Sequence, residues 1–306
     1  MKVITAAGPW NVEGRPVCAA IGVFDGVHLG HQRILGQTVG DARARGGLAA
    51  AITFDRHPNE VVAPRRAPSL LYPLSKKLRA LESTGLDLVR VIHFDKAFSQ
   101  LPAEQFVRDL AADAGKLQGV CVGEAFTFGH RRQGNAALLR TLGEKLHFAI
   151  HAVPAVELDG APISSTRARQ AVREADFGLA GRLLGRPYAL CGTVKRGAQL
   201  GRKLGFPTAN LEVAGIVTPP TGVYVAEAEV GAERRRAAVN VGFRPTVDAA
   251  AGRLVVEAHL LDFAGDIYER ELELIFLRKL REERKFPSVE ALREQVGRDV
   301  EEARKL

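Results

Sequence analysis

The sequence predicts an α/β protein in two parts: a parallel sheet covered by helices, then an antiparallel β-barrel closed by a C-terminal helix. Three observations predict it. Through the first half, near-continuous apolar runs alternate with helical patterns, the rhythm of strands buried on both faces. Beyond residue 187, short runs rich in Val, Thr, Tyr and Phe recur about every 8–12 residues between turn signals, the texture of a barrel. Finally, 306 residues are too many for a comfortable single core and suit two domains, expected at residues 1–180 and 186–306.

The first-half strands are expected at residues 17–23, 48–54, 88–94, 119–123 and 148–153, with helices at 32–45, 75–82, 103–114 and 136–146. In such a sheet ligands bind at the carboxyl ends of the strands. The stretch 177–187 ends a helix and carries the glycine and proline punctuation of a boundary. Barrel strands are expected at 188–194, 223–230, 237–241, 254–261 and 271–276. A last helix spans 288–305, with Val289, Leu292, Val296 and Val300 at helical spacing and Ser288 suited to its N-cap.

Composition excludes several function classes. Hydrophobic residues make up 46% of the chain, and no apolar run approaches the roughly 20 residues that a membrane span needs. The N-terminus MKVITAAGPW lacks the apolar core of a signal peptide. Cys18, Cys121 and Cys191 are scattered, odd in number and never in a CxxC pair, which predicts buried free thiols in a reducing cytoplasm. The net charge of +8 is spread along the chain, and aromatics at 6% are poor material for stacking bases, so no nucleic-acid partner is expected. Diffuse positive charge also suits small anionic substrates such as ATP. Oligomeric state is not legible here.

Residues 21–31 carry the sharpest local signal: an apolar strand breaks into a glycine-spaced turn that presents His28 and His31. Glycines at 22, 26 and 30 admit positive φ angles and close approach to a ligand. The following helix offers free N–H groups that favour phosphate, and imidazoles donate hydrogen bonds to phosphate oxygens. The pair lacks the glutamate of an HExxH motif and a third nearby ligand, so the spacing does not point to zinc. A second segment, Ile163-Ser164-Ser165-Thr166-Arg167-Ala168-Arg169, places three hydroxyls and two guanidiniums at the start of a helix, equipment for a departing pyrophosphate. In the second half, residues 200–211 are dense in glycine and cation and end in Pro-Thr-Ala-Asn. A hydroxyl and an amide oxygen on alternate residues, Thr208 and Asn210, are apt ligands for Mg2+.

The segments GVFDGVHLGH, ITFDRHP, VGEAFTFGHRRQGN and ISSTRAR, in that order, resemble the FMN adenylyltransferase module of bacterial bifunctional riboflavin kinase/FAD synthetases. The run LGRKLGFPTANL, with GVYVAEAEV, AAVNVGFRPTV and the long stretch from Val255 to Phe286, resembles the riboflavin kinase module of the same family. The resemblance covers almost the whole chain. It implies a Rossmann-like nucleotidylyltransferase sheet followed by a kinase barrel.

The resemblance also implies roles. His28 and His31 would contact the ATP phosphates, within a turn that includes Gly22, Phe24, Asp25 and Gly30, while Ser164, Ser165, Thr166 and Arg167 would hold pyrophosphate. His57 and Asn59 would lie near the flavin phosphate, with Phe126 and Phe128 bordering the nucleotide or flavin. In the second half Gly201 and Gly205 would lie near phosphates, Thr208 and Asn210 would hold Mg·ATP, and Glu257 would be the base for the ribityl hydroxyl. Substrates would be ATP, riboflavin and FMN. Arg56 stands where the family usually has proline, and Ala168 where it usually has an aliphatic residue. Adenylylation of another acceptor beside a non-catalytic barrel is the alternative.

Overall fold

The computed structural model describes residues 1–306 apart from Ala198, Ala232, Val247 and Asp248 and the side chains at 200, 203, 244–246 and 249–253. Packing divides it into two units, one of Met1–Leu70 with Leu74–Ser165, the other of Leu71–Pro73 with Thr166–Leu306. The short excursion at Leu71–Pro73 belongs to the second unit because the Tyr72 ring lies parallel to Tyr188 at 6.5 Å and under the Arg186 guanidinium.

In the first unit six parallel strands run in the order Lys2–Ile4, Leu88–Ile92, Leu48–Phe54, Val17–Ile21, Leu117–Gly123, Ala149–Val153. The Val17–Ile21 strand is wholly buried, and its side chains alternate between two cores. Val17, Ala19 and Ile21 meet Phe106, Val107 and Leu139 of one helical layer, while Cys18 and Ala20 meet Leu35, Ala42 and Leu81 of the other. That two-sided burial is why the strand reads as an unbroken apolar run. From this strand the chain winds first toward one edge and then toward the other. Its carboxyl end is therefore the switch point where such sheets open a crevice.

The second unit is a closed antiparallel barrel in the order Ala189–Lys195, Ala209–Glu212, Ala249–Leu260, Glu233–Thr246, Gly222–Val230, Glu271–Arg281. The last helix, Val289–Arg304, starts where Ser288 accepts a bond from the Ala291 amide, and it packs Val300 and Ala303 against Val225 and Leu261. The three cysteines are buried free thiols.

The structure amends the sequence reading at four places. The first long helix begins at Leu29, three residues earlier than the periodicity indicates, because His28 caps it with its ring. Strand Lys2–Ile4 is only three residues long, too short to stand out in a search for apolar runs. Strand Ala209–Glu212 is masked by the turn-like Gly-Phe-Pro-Thr before it. The stretch from Phe177 is a helix in its own right, Phe177–Leu184, started by the Asp176 carboxylate on the Leu179 amide and ended by Gly185 at φ 70°.

The final helix is fastened by a forked pair: Arg281 donates to Asp299 at 2.7, 3.0 and 3.2 Å, with Asp299 almost completely buried. Asp299→Ala strands the guanidinium and is expected to destabilise the barrel by about 3 kcal/mol, read as an earlier thermal unfolding transition.

Candidate active sites

The first site is built on the carboxyl end of the central strand. There the backbone turns through positive φ at Phe24 (51°), Gly26 (77°) and Val27 (41°). Glycine takes such angles freely, but a bulky or β-branched residue does so at a cost on the order of 1–3 kcal/mol. Gly22 and Gly30 have ordinary angles and serve another purpose. A Cβ on Gly22 would stand 2.9 Å from the Phe24 ring, and one on Gly30 would stand 3.2 Å from the His28 ring. Of the three glycines expected to need positive φ, Gly26 alone has it.

Side chains from four elements hold this turn by its carbonyls. Thr53 Oγ1 donates to the Val23 carbonyl at 2.9 Å, Gln32 Nε2 to Val27 at 2.9 Å, and Ser165 Oγ to Asp25 at 2.9 Å. The buried Lys77 ammonium donates to Val23 O at 3.3 Å, Thr53 Oγ1 at 3.2 Å and Phe54 O at 2.7 Å. The Ser165 bond joins two motifs 140 residues apart. Ile163 O, one residue before Ser164, lies 3.6 Å from the place a Gly30 Cβ would take, so the hydroxyl-rich segment borders the helix start. Thr166 and Arg167 sit in the first turn of the helix Ser165–Arg173.

His28 and His31 stack face to face, centroids 3.6 Å apart, with the edge of Phe24 against His31. The buried His28 Nδ1 accepts the His31 amide at 3.3 Å. That bond requires a lone pair on Nδ1 and so puts the proton of the neutral ring on Nε2, as a donor. The N-terminus of the Leu29–Ala44 helix opens beside the turn, a position whose dipole suits an anion.

Beside it opens a cavity of about 740 Å³ that reaches from Ile21 and Val23 to Arg131. Phe54, Phe94, Phe98, Phe106, Phe126 and Phe128 line it in a chain of ring contacts between 5.3 and 6.0 Å. His57 and Asn59 stand on its rim, and His57 Nδ1 accepts the Asn59 amide at 3.1 Å. The cavity has the size and the flat aromatic lining for a planar ring system.

The second site lies in the barrel. Glu257 is opposite Asn210 on one neighbouring strand and Asn240 on the other. A cavity of about 670 Å³ takes in Glu257, Asn240, Thr208, Gly201 and His259. A second cavity, of about 460 Å³, also ends on Thr208 and is lined by Phe263 and Tyr268. Asn210 is set apart from both linings among the described residues, its amide packed under Gly197, where a Cβ would stand 2.4 Å from Nδ2. A Cβ on Gly201 would come within 2.4 Å of Phe206 O and 3.1 Å of Thr208 Oγ1. Gly205 has φ 90° and closes the turn that follows.

Two residues escape the sequence reading. Lys77 lies among charged neighbours on an amphipathic helix and reads as a surface residue, yet it is 6% exposed. His259 donates from Nδ1 to the Pro207 carbonyl at 2.8 Å and so fixes the start of the Pro-Thr-Ala-Asn segment. Its spacing of two from Glu257 on a strand was the available signal.

An FAD synthetase family model matches residues 11–167, and a riboflavin kinase family model matches residues 184–306. A bifunctional riboflavin kinase/FMN adenylyltransferase of Pseudomonas fluorescens is 40% identical over 100% of this chain and 98% of its own. Those of Escherichia coli K12 and Bacillus subtilis are 38% and 34% identical, over 94% and 99% of this chain and 91% and 97% of their own. A crystal structure described as a macrolide-efflux protein from Streptococcus pneumoniae superposes with a TM-score of 0.83 at 28% identity, over 100% of both chains. Among the described residues no helix is long and apolar enough to cross a membrane.

A parallel-sheet nucleotide-binding unit joined to a kinase barrel defines a two-domain transferase. The chain belongs to the bifunctional riboflavin kinase/FMN adenylyltransferase family, whose two reactions convert riboflavin to FMN and FMN to FAD.

Burial lowers the Lys77 pKa from its ordinary 10.5 to about 8, against the opposing charges of Asp25 and Asp55. Between these values the unfolded chain binds the proton more tightly, so this residue's contribution to stability rises with pH from about 8 to 10.5. In Lys77→Met that slope should vanish from thermal unfolding curves. The half-buried carbonyls of Val23 and Phe54 lose a partner, at about 1 kcal/mol, and adenylyl transfer should fall at least tenfold while kinase activity stays unchanged.

Proposed function

We propose that residues 1–180 transfer AMP from ATP to FMN and residues 186–306 transfer the γ-phosphoryl group of ATP to riboflavin, with the following division of labour. In the first site the ATP phosphates lie across the turn from Gly22 to His31. The backbone around Phe24, Asp25 and Gly30 shapes the cradle, and Gly22, whose N–H donates to Ile52 O, anchors its start. His28 donates from Nε2, and with His31 it stabilises the charge that builds on the α-phosphate. The Ser165 hydroxyl proton is committed to the Asp25 carbonyl, which leaves Ser165 its backbone N–H for the leaving pyrophosphate. Ser164, Thr166 and Arg167 supply the remaining donors.

FMN stacks its ring system in the phenylalanine-lined cavity, bordered by Phe126 and Phe128, with its phosphate toward His57 and Asn59. That phosphate attacks the α-phosphorus directly. An ionised phosphate is already a nucleophile, so no protein nucleophile or general base is needed. The bond from Ser165 to Asp25 is the observation that carries this reading, because it joins the two phosphate motifs into one site.

In the barrel, riboflavin occupies the larger cavity with its ribityl 5′-hydroxyl toward Glu257. An alcohol of high pKa needs such an acceptor as it attacks phosphorus. ATP enters the smaller cavity and presents its γ-phosphate where both cavities end, at Thr208. Thr208 would offer Mg2+ a hard oxygen at that junction, and Asn210, outside both linings but opposite Glu257 on the next strand, would offer a second once its amide turns out from under Gly197. Gly201 and Gly205 keep the loop backbone near the phosphates. The ion would neutralise phosphate charge when bound.

A shared cavity for Glu257 and Thr208 argues against a non-catalytic barrel. The decisive experiment gives the purified chain riboflavin, ATP and Mg2+ and separates the products by chromatography. FMN and then FAD should accumulate; FAD from supplied FMN without any FMN from riboflavin would favour the alternative. Glu257→Ala should abolish FMN formation, by at least 100-fold, and leave conversion of supplied FMN to FAD intact. The double variant His28→Ala, His31→Ala should show the opposite pattern. Loss of both reactions in either folded variant would refute the division.

A further inference from the structure

We propose that Asp41, Cys121 and His151 form a binding site for one divalent cation of the zinc class, separate from both active sites. The three donor atoms lie within 4.8 Å of one another. Cys121 Sγ donates to Asp41 Oδ2 at 3.4 Å, and His151 Nδ1 meets the same oxygen at 2.5 Å. Two donors thus converge on one carboxylate oxygen. Replacing both by a single cation needs donor separations of about 3.3–3.7 Å, the edges of a tetrahedron with bonds of 2.0–2.3 Å. Against Asp41 the Cys121 sulfur already stands at that separation, while the His151 ring has to withdraw by about 1 Å, which its edge strand Ala149–Val153 and its 42% exposed side chain allow.

The frame is otherwise rigid. Cys121 and His151 are directly paired on adjacent strands, and Asp41 comes from the helix Leu29–Ala44 above them. Gln37 Nε2 donates to Asp41 Oδ1 at 2.9 Å, which aims Oδ2 at the other two ligands. Sulfur, imidazole and carboxylate together form a donor set that suits Zn2+ and not Mg2+. The half-exposed side of His151 leaves room for water as a fourth ligand. Burial pushes the Cys121 thiol up to about 12, so the metal-free site holds the thiol proton.

Binding balances as follows. The cation displaces one proton from the thiol, the His151 proton moves from Nδ1 to the solvent-facing Nε2, and the thiolate and carboxylate neutralise the ion. Asp41 lies 12 residues beyond Leu29, about 18 Å along the helix. An ion there would pin to the sheet the far end of the helix whose N-terminus carries His28 and His31.

The test titrates the chelator-treated full-length chain with Co2+. One equivalent should produce an intense near-ultraviolet thiolate-to-metal band with tetrahedral visible bands, and Zn2+ should abolish both, with one proton released during binding to the metal-free chain. Cys121→Ser should remove the thiolate band, and His151→Ala should weaken Co2+ binding at least tenfold. Cys191→Ser, which alters the barrel cluster of Cys191, Glu271 and Glu273, should leave the band unchanged. Retained conversion of supplied FMN to FAD reports that the Cys121 and His151 variants are folded, and retained FMN formation from riboflavin reports the same for Cys191→Ser. If Cys121→Ser does not fold, His151→Ala on the exposed edge decides. Absence of the band in the unaltered chain, its persistence in Cys121→Ser, unchanged affinity in His151→Ala or its loss in Cys191→Ser would each overturn the site.

Discussion

Everything in the first active site depends on a backbone turn that would not hold its shape unaided. Phe24 and Val27 sit at positive φ without being glycine, and each stores strain of a size that a single hydrogen bond does not offset. The turn persists because its carbonyls are occupied. Val23 O receives Thr53 and Lys77, Asp25 O receives Ser165, and Val27 O receives Gln32. Several of the turn's amides are committed as well, Gly22 to Ile52 O, Val27 to Phe24 O and His31 to His28 Nδ1. Tying back the Val23, Asp25 and Val27 carbonyls removes three acceptors that would repel an anion at the turn.

The barrel reaches a comparable end by a different route. Its glycine-rich loop is shaped by close approach: Gly197 lies on Asn210 and Gly201 on Phe206 O, at distances that exclude a Cβ, and Gly201 stands close to Thr208 as well. His259 then fixes Pro207 from the neighbouring strand. Strand register does the rest, because Asn210, Glu257 and Asn240 occupy one row across three strands. The first site is held by side chains bonding to a strained backbone. The second is held by backbone packed where side chains are missing.

The metal-ligating cluster of Asp41, Cys121 and His151 belongs to neither scheme, although it shares the helix that caps the phosphate turn. It shows how a doubly wound sheet distributes chemistry. The carboxyl ends of the strands take substrates, while the mid-strand positions facing a helix form a buried layer in which polar groups must satisfy one another. Asp41 satisfies three partners at once, Gln37, Cys121 and His151, and that economy makes the cluster a ready set of ligands.

By itself the sequence determined the two textures, the parallel rhythm and the barrel rhythm, because burial on two faces or on one leaves a periodic trace in hydrophobicity. It also singled out His28, His31 and Thr208 as candidate ligand-binding groups by residue type and short spacing, and Glu257 by resemblance to the family. Lys2–Ile4, three residues long, and Ala209–Glu212, short and half polar, left no such trace and appear only once their partner strands are in place. Tertiary structure alone decided the fastening of the turn, for Ser165 is 140 residues from Asp25, and Lys77 is 54 from Val23. A hydrogen bond between distant residues has no periodicity and no local composition. It exists only when the sheet has brought its ends together.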